Sequence, residues 1–227
     1  MGAGRYDVIV VGARVAGAAT AMLMARQGLR VLAVDRVSFP SDTISSHQLQ
    51  VPGVALLHQW GLLGALTAAG TPPARRVRLD AGAGLVMDGR FLACEGADAL
   101  YSPRRTLLDA ILVEAAREAG AEVREDFRVT QVTASGGRVT GIRGAARGGP
   151  AVTETASLVI GPTGSGRWWP ARSARAGTAS GRCGRLPAIP TGPGSQCRVV
   201  SFTSGWDARW RSSPPTTSSP WSMRRRR

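Results

Sequence analysis

Four residues near the N-terminus have the types and spacing needed to hold a phosphate-bearing ligand. Gly12, Arg14 and Gly17 lie in the stretch VVGARVAG, and Asp35 closes the run LAVD. A glycine directly after a buried strand permits a tight turn, and a second glycine five residues on lets the following helix pack closely on that strand. The helix start offers unpaired N–H groups and the positive end of a dipole, both suited to a pyrophosphate. A carboxylate about 20 residues later can accept hydrogen bonds from a ribose. The middle position of the dinucleotide pattern is normally glycine, so Arg14 restricts approach of the backbone to the phosphates. The alternative to ligand binding is a helix start with two packing glycines. The full order of strand, loop, helix, strand and acid favours binding.

These residues need particular elements to position them. Asp7–Val11 is a continuous apolar run of the kind buried in a parallel sheet. Ala16–Gln27 is helix-forming and Gly28 is a suitable C′ residue; Leu29–Val34 is the second strand. Further on, Tyr101-Ser102-Pro103 is extended, because proline keeps its predecessor out of the helical region. Leu108, Ile111, Leu112, Ala115 and Ala119 form a helical stripe that Gly120 ends. Glu122–Arg124 reads as a third strand. Val129–Thr133 and Arg138–Ile142 flank Ser135-Gly136-Gly137 as a hairpin, and Ser157–Ile160 reads as a return strand.

The 227 residues suffice for one sizeable domain or slightly more. The net charge of +14 is uneven: residues 161–227 hold twelve arginines against the single acid Asp207, leaving +3 on the first 160 residues. There is no lysine. Cys94, Cys183 and Cys197 are too far apart for a metal clamp, and their odd number argues against a disulfide framework. No apolar run approaches a membrane span, and no signal-peptide order precedes Gly12, so a cytoplasmic location is expected. Of the two histidines, His58 sits in an amphipathic segment and His47 in DTISSHQLQ. No nucleophile–base pair or metal-ligand cluster stands out, and the catalytic residues are unassigned.

Three stretches together, VVGARVAGAATAMLMARQGLRVLAVDR, FPSDTISSHQLQVPGVALLHQWGLL and YSPRRTLLDAILVEAAREAGAEVRE, resemble FAD-dependent oxidoreductases related to geranylgeranyl reductase and the aromatic hydroxylases. The resemblance covers residues 6–161. It implies that the nucleotide is FAD and that Arg14 is a normal variant near the phosphates. It also implies that Arg105, in Arg-x-x-Leu, lies beside the FAD, and that the segment around His47 runs close to the flavin. The implied cofactor contacts are Gly12, Ala13, Arg14, Ala16, Gly17, Asp35, Arg36, Arg105 and Val129. NAD(P)H is the implied co-substrate, with a small organic or prenyl molecule as substrate. In flavoenzymes the cofactor carries the redox chemistry, so the lack of an acid–base pair does not oppose this reading.

After Gly161 the resemblance breaks. The family continues Ala-Asp-Gly; here Pro162-Thr163-Gly164-Ser165-Gly166-Arg167-Trp168-Trp169-Pro170 follows. The family's continuation ADGLRSVVAR can be written with one choice of codons as GCC GAC GGG CTC CGG TCG GTG GTG GCC CGC. Read from their second base they encode PTGSGRWWP, so residues from Pro162 on are inferred to be out of frame. A natural Arg/Ser/Pro-rich extension is the alternative. The expected architecture is α/β: a Rossmann-like FAD-binding domain over 1–161, incomplete, with a parallel sheet and a hairpin excursion, then a disordered tail over 162–227. Little or no activity is expected of such a fragment. Two other functions remain open: nonspecific nucleic-acid binding by the arginine-rich tail, and NAD(P) binding by the N-terminal unit.

Overall fold

A computed structural model describes residues 6–82, 84–161 and 221–225. They fall into two compact units: residues 6–45 with 104–161, and residues 46–103 with 221–225. The expected tail, the boundary at 161/162 and the missing Asp-Gly pair lie largely outside the described residues.

The first unit is built on a six-stranded sheet. Its strands are β1 (Tyr6–Val11), β2 (Val31–Val34), β5 (Glu122–Arg124), β6 (Phe127–Ser135), β7 (Arg138–Ala146) and β8 (Val152–Ile160), in the order β5-β2-β1-β8-β7-β6. The first four neighbours run parallel, with apolar runs in β1 and β2; β7 and β6 run antiparallel. Helix α1 (Val15–Arg26) connects β1 to β2, and α4 (Arg105–Glu118) leads into β5 and packs on α1. Residue pairs such as Val8↔Val31 and Val10↔Ala33 share the sheet face opposite Ile9 and Leu32. Ile9, Leu32, Val34, Phe127, Val129, Ile142 and Ala156 form a buried core cluster that joins the parallel strands to the hairpin.

Strand β8 is shared between two layers. Its first half pairs with β7 from Val152 to Thr155, and its second half pairs with β1 from Ala156 to Ile160. The hairpin therefore folds over the parallel sheet, and Phe127 N–H reaches the Asp35 carbonyl at 2.8 Å. The predicted hairpin excursion is present and longer than expected, running over Phe127–Ser135 and Arg138–Ala146.

The second unit holds α2 (Val51–Gln59), α3 (Leu63–Ala68), β3 (Arg76–Asp80), β4 (Leu85–Arg90) and β9 (Trp221–Arg225). Its sheet has the order β3-β4-β9, antiparallel throughout. Pairing of residues 221–225 with β4 differs from the expectation of an unstructured tail at those five positions. A chain end can gain order by adding its backbone to an exposed strand edge, which no local composition signal records.

Candidate functional site

The loop after β1 is held by two backbone donors. Gly12 N–H bonds the Val34 carbonyl at 2.7 Å, and Ala13 N–H bonds Asp35 Oδ2 at 2.7 Å. Gly12 has φ 106°, a conformation that strains any side chain. Arg14 is the extended N-cap residue of α1, and Gly17 is buried one turn in, while Ala16 faces outward. No side chain caps the start of α1 and no acid lies in its first turn. The first-turn N–H groups and the dipole thus remain suited to an anion.

Asp35 sits where β1, β2, β5 and β6 converge. Its N–H bonds the Arg124 carbonyl at 3.0 Å, and its Oδ1 accepts Val37 N–H at 3.2 Å. Each carboxylate oxygen has two acceptor positions, so both retain one for a ligand hydroxyl. Arg36 is exposed beside it and makes no ion pair with the described residues. Val129 is buried in the core under the sheet, so its side chain serves packing; any contact it makes with a cofactor would come from its main chain.

Arg14 and Arg105 meet on one acid that sequence reasoning did not single out. Asp109 is fully buried. Its Oδ2 accepts Arg14 Nη1 at 2.8 Å and Arg105 Nη2 at 3.0 Å, and its Oδ1 accepts Arg105 Nε at 2.9 Å. Arg14 also donates to the Ser41 carbonyl at 3.1 Å and to Ser41 Oγ at 3.0 Å, and its guanidinium lies 5.7 Å from the Phe39 ring centroid. The signal that could have revealed Asp109 is an acid four residues after Arg105, on the face that also carries Leu112 and Ala116. Arg105 is neither a solvated surface residue nor an isolated one.

At the other end of β1, Tyr6 Oη donates to Glu122 Oε2 at 2.5 Å, and Arg124 bridges Tyr6, Glu122 and Glu154. Burial and the hydrogen bond to Glu122 push the Tyr6 phenol up to about 12. Burial alone would raise Glu122, but the Tyr6 and Arg124 hydrogen bonds outweigh it and lower the carboxyl overall. His58 packs on the turn containing Gly96, whose Cβ position would lie 2.9 Å from Cε1. His47 belongs to the second unit with φ 55°. Among the described residues no three His, Cys, Asp or Glu side chains could hold a metal ion.

This donor set fits the ADP half of FAD. It combines a glycine turn, an uncapped helix start, two arginines with N–H groups to spare, and a carboxylate with acceptor capacity.

A family profile described as "FAD binding domain" matches residues 5–178, a span that continues beyond Gly161. Protein FixC of Salmonella typhi is 30% identical over 152 residues, covering 60% of this chain and 32% of its own length. Menaquinone reductase of Mycobacterium tuberculosis is 48% identical over 56 residues, covering 25% of this chain and 14% of its own. The chain thus spans about a third or less of these relatives. Among solved structures, a geranylgeranyl bacteriochlorophyll reductase-like protein from Thermoplasma acidophilum has a TM-score of 0.60 at 22% identity, over 70% of this chain and 39% of that one. The myxobacterial chondrochloren halogenase CndH reaches 0.63 at 24%, over 71% and 38%. Since the profile spans most of the chain and both structures share its layered fold, this protein belongs to the FAD binding domain family of flavoproteins.

Proposed function

We propose that this chain carries the ADP-binding half of an FAD-dependent oxidoreductase. That enzyme would act with NAD(P)H on a small organic or prenyl substrate in the cytoplasm. The start of α1 would receive the pyrophosphate, which would pass along the Gly12-Ala13 turn, and Asp35 with Arg36 would hold the adenosine. The flavin, when bound, supplies the electron transfer. The observation that carries the reading is the Ala13 N–H to Asp35 Oδ2 bond of 2.7 Å, which sets the carboxylate against the glycine loop.

The test is calorimetry with FAD on the chain and on Asp35→Asn. Asparagine keeps an oxygen for the Ala13 N–H but removes the anionic acceptor. A charged hydrogen bond contributes about 1.5–3 kcal/mol, so affinity should fall about tenfold or more. Unchanged affinity would remove Asp35 from the site. No helix among the described residues is long and apolar enough to cross a membrane.

A further inference from the structure

The geometry points to Asp109 as a positioning residue for the pyrophosphate, acting through Arg105 and Arg14. This rests on the FAD reading above and assigns a role to a residue which that reading does not use. Asp109 takes Arg105 side-on, through Nε at 2.9 Å and Nη2 at 3.0 Å. A guanidinium held that way keeps its other edge, formed by Nη1 and Nη2, for a second two-pronged acceptor such as a phosphate. Arg105 makes no other hydrogen bond among the described residues, where three of its five N–H groups remain uncommitted. The same Oδ2 holds Arg14 Nη1, which ties Arg105 to the residue that starts α1.

Arg14 plays a different part. Three of its N–H groups are committed to Asp109 and Ser41, and Phe39 lies against its guanidinium. It is a brace between the loop, the 39–41 segment and α4, standing where the dinucleotide pattern has glycine. One buried acid between two arginines leaves a net single positive charge. The uncapped start of α1 adds its dipole to that charge. A pyrophosphate is an acceptor matched to both features.

Positioning and plain charge predict opposite signs. Asp109→Asn makes the cluster more positive by one unit. If the arginines act only as charges, this variant binds a diphosphate more tightly. If Asp109 aims them, it binds more weakly. Arg105→Lys keeps the charge and can keep the ion pair, but has no second edge. The experiment titrates the full chain and both variants with FAD, ADP and adenosine by calorimetry, with circular dichroism confirming the fold. The expected result is a loss of about tenfold or more for FAD and ADP in both variants. Adenosine, which has no phosphate, should bind unchanged, whereas a merely structural defect would weaken all three ligands. Equal or tighter ADP binding by Asp109→Asn, or unchanged binding by Arg105→Lys, overturns the assignment. If Asp109→Asn fails to fold, Arg105→Lys decides. If the unmodified chain binds neither FAD nor ADP, the cofactor reading falls and the role of Asp109 with it. If the unmodified chain binds and the variants match it, only the role of Asp109 falls.

Discussion

Arg14 occupies a position where the dinucleotide pattern has glycine. Its side chain nevertheless makes three hydrogen bonds and a ring contact, with a 27% exposed side chain against a fully buried acid. Arg14→Gly should therefore destabilise the chain by about 1–3 kcal/mol, the scale for losing charged hydrogen bonds. Glycine itself is acceptable at an N-cap, so little of that cost would come from the helix start. Urea unfolding measures it; an unchanged midpoint would show that the brace contributes nothing. The Tyr6 cluster predicts pH dependence at both ends of the scale. Tyr6 is raised to about 12 by burial and its bond to Glu122, so its contribution is complete below the ordinary phenol value and lost as pH rises towards 12. Tyr6→Phe should flatten the alkaline limb of a stability–pH curve. Glu122 is lowered, so its contribution is present above the ordinary glutamate value and fades as pH falls below it. Glu122→Gln should flatten the acid limb in the same measurement.

Among the elements, β8 decides the layering, and two glycines of β7 permit it. A Cβ on Gly141 would lie 2.0 Å from the Glu154 carbonyl oxygen, and one on Gly144 would lie 2.5 Å from Phe127 Cε1. The first obstacle is backbone, so β7 and β8 would have to separate. Gly141→Ala should cost about 1–3 kcal/mol or more, the scale of overpacking. Gly149→Ala, in ordinary contact distance of Ala146 and without positive φ, should cost far less. Thermal melts of the two variants side by side would test this, and equal losses would refute the packing argument. The strands β1 and β2 and the hairpin were legible because apolar runs and Gly-Gly signals are local; β5, Glu-Val-Arg, was legible only from its place after the helix that Gly120 ends. Strands β3 and β4 were not singled out: β3 is largely exposed, so it lacks the apolar alternation that marks a half-buried strand.

At the level of the whole molecule, sequence and comparisons bear differently on residues beyond Gly161. The family profile extends to residue 178, whereas the codon reading places a frame change at Pro162. Leu158, on the same sheet face as Val8, is 48% exposed. An apolar residue of a parallel strand is normally covered, so this face is suited to further packing. Sequencing the DNA around codon 161 in all frames tests the frame proposal directly. A frame-restored product should read Gly-Ala-Asp-Gly from residue 161, be yellow, and oxidise NADH or NADPH. Stoichiometric flavin and substrate-dependent NAD(P)H consumption by the 227-residue chain itself would refute both the frame change and the expected inactivity.

The amino-acid sequence by itself determined the βαβ order, the glycine turn, the acid at the end of β2 and the helix that begins at Arg105. Each depends on residues within one strand, one helix or one loop, where period, turn chemistry and capping act. Only the tertiary structure decided that Arg14 and Arg105 share Asp109, since Arg14 lies 95 residues from its acid in the chain. It also decided that Val129 is a core residue and that β8 turns from one layer to another. These outcomes depend on which surfaces meet, and packing between distant segments leaves no periodic mark in either segment alone.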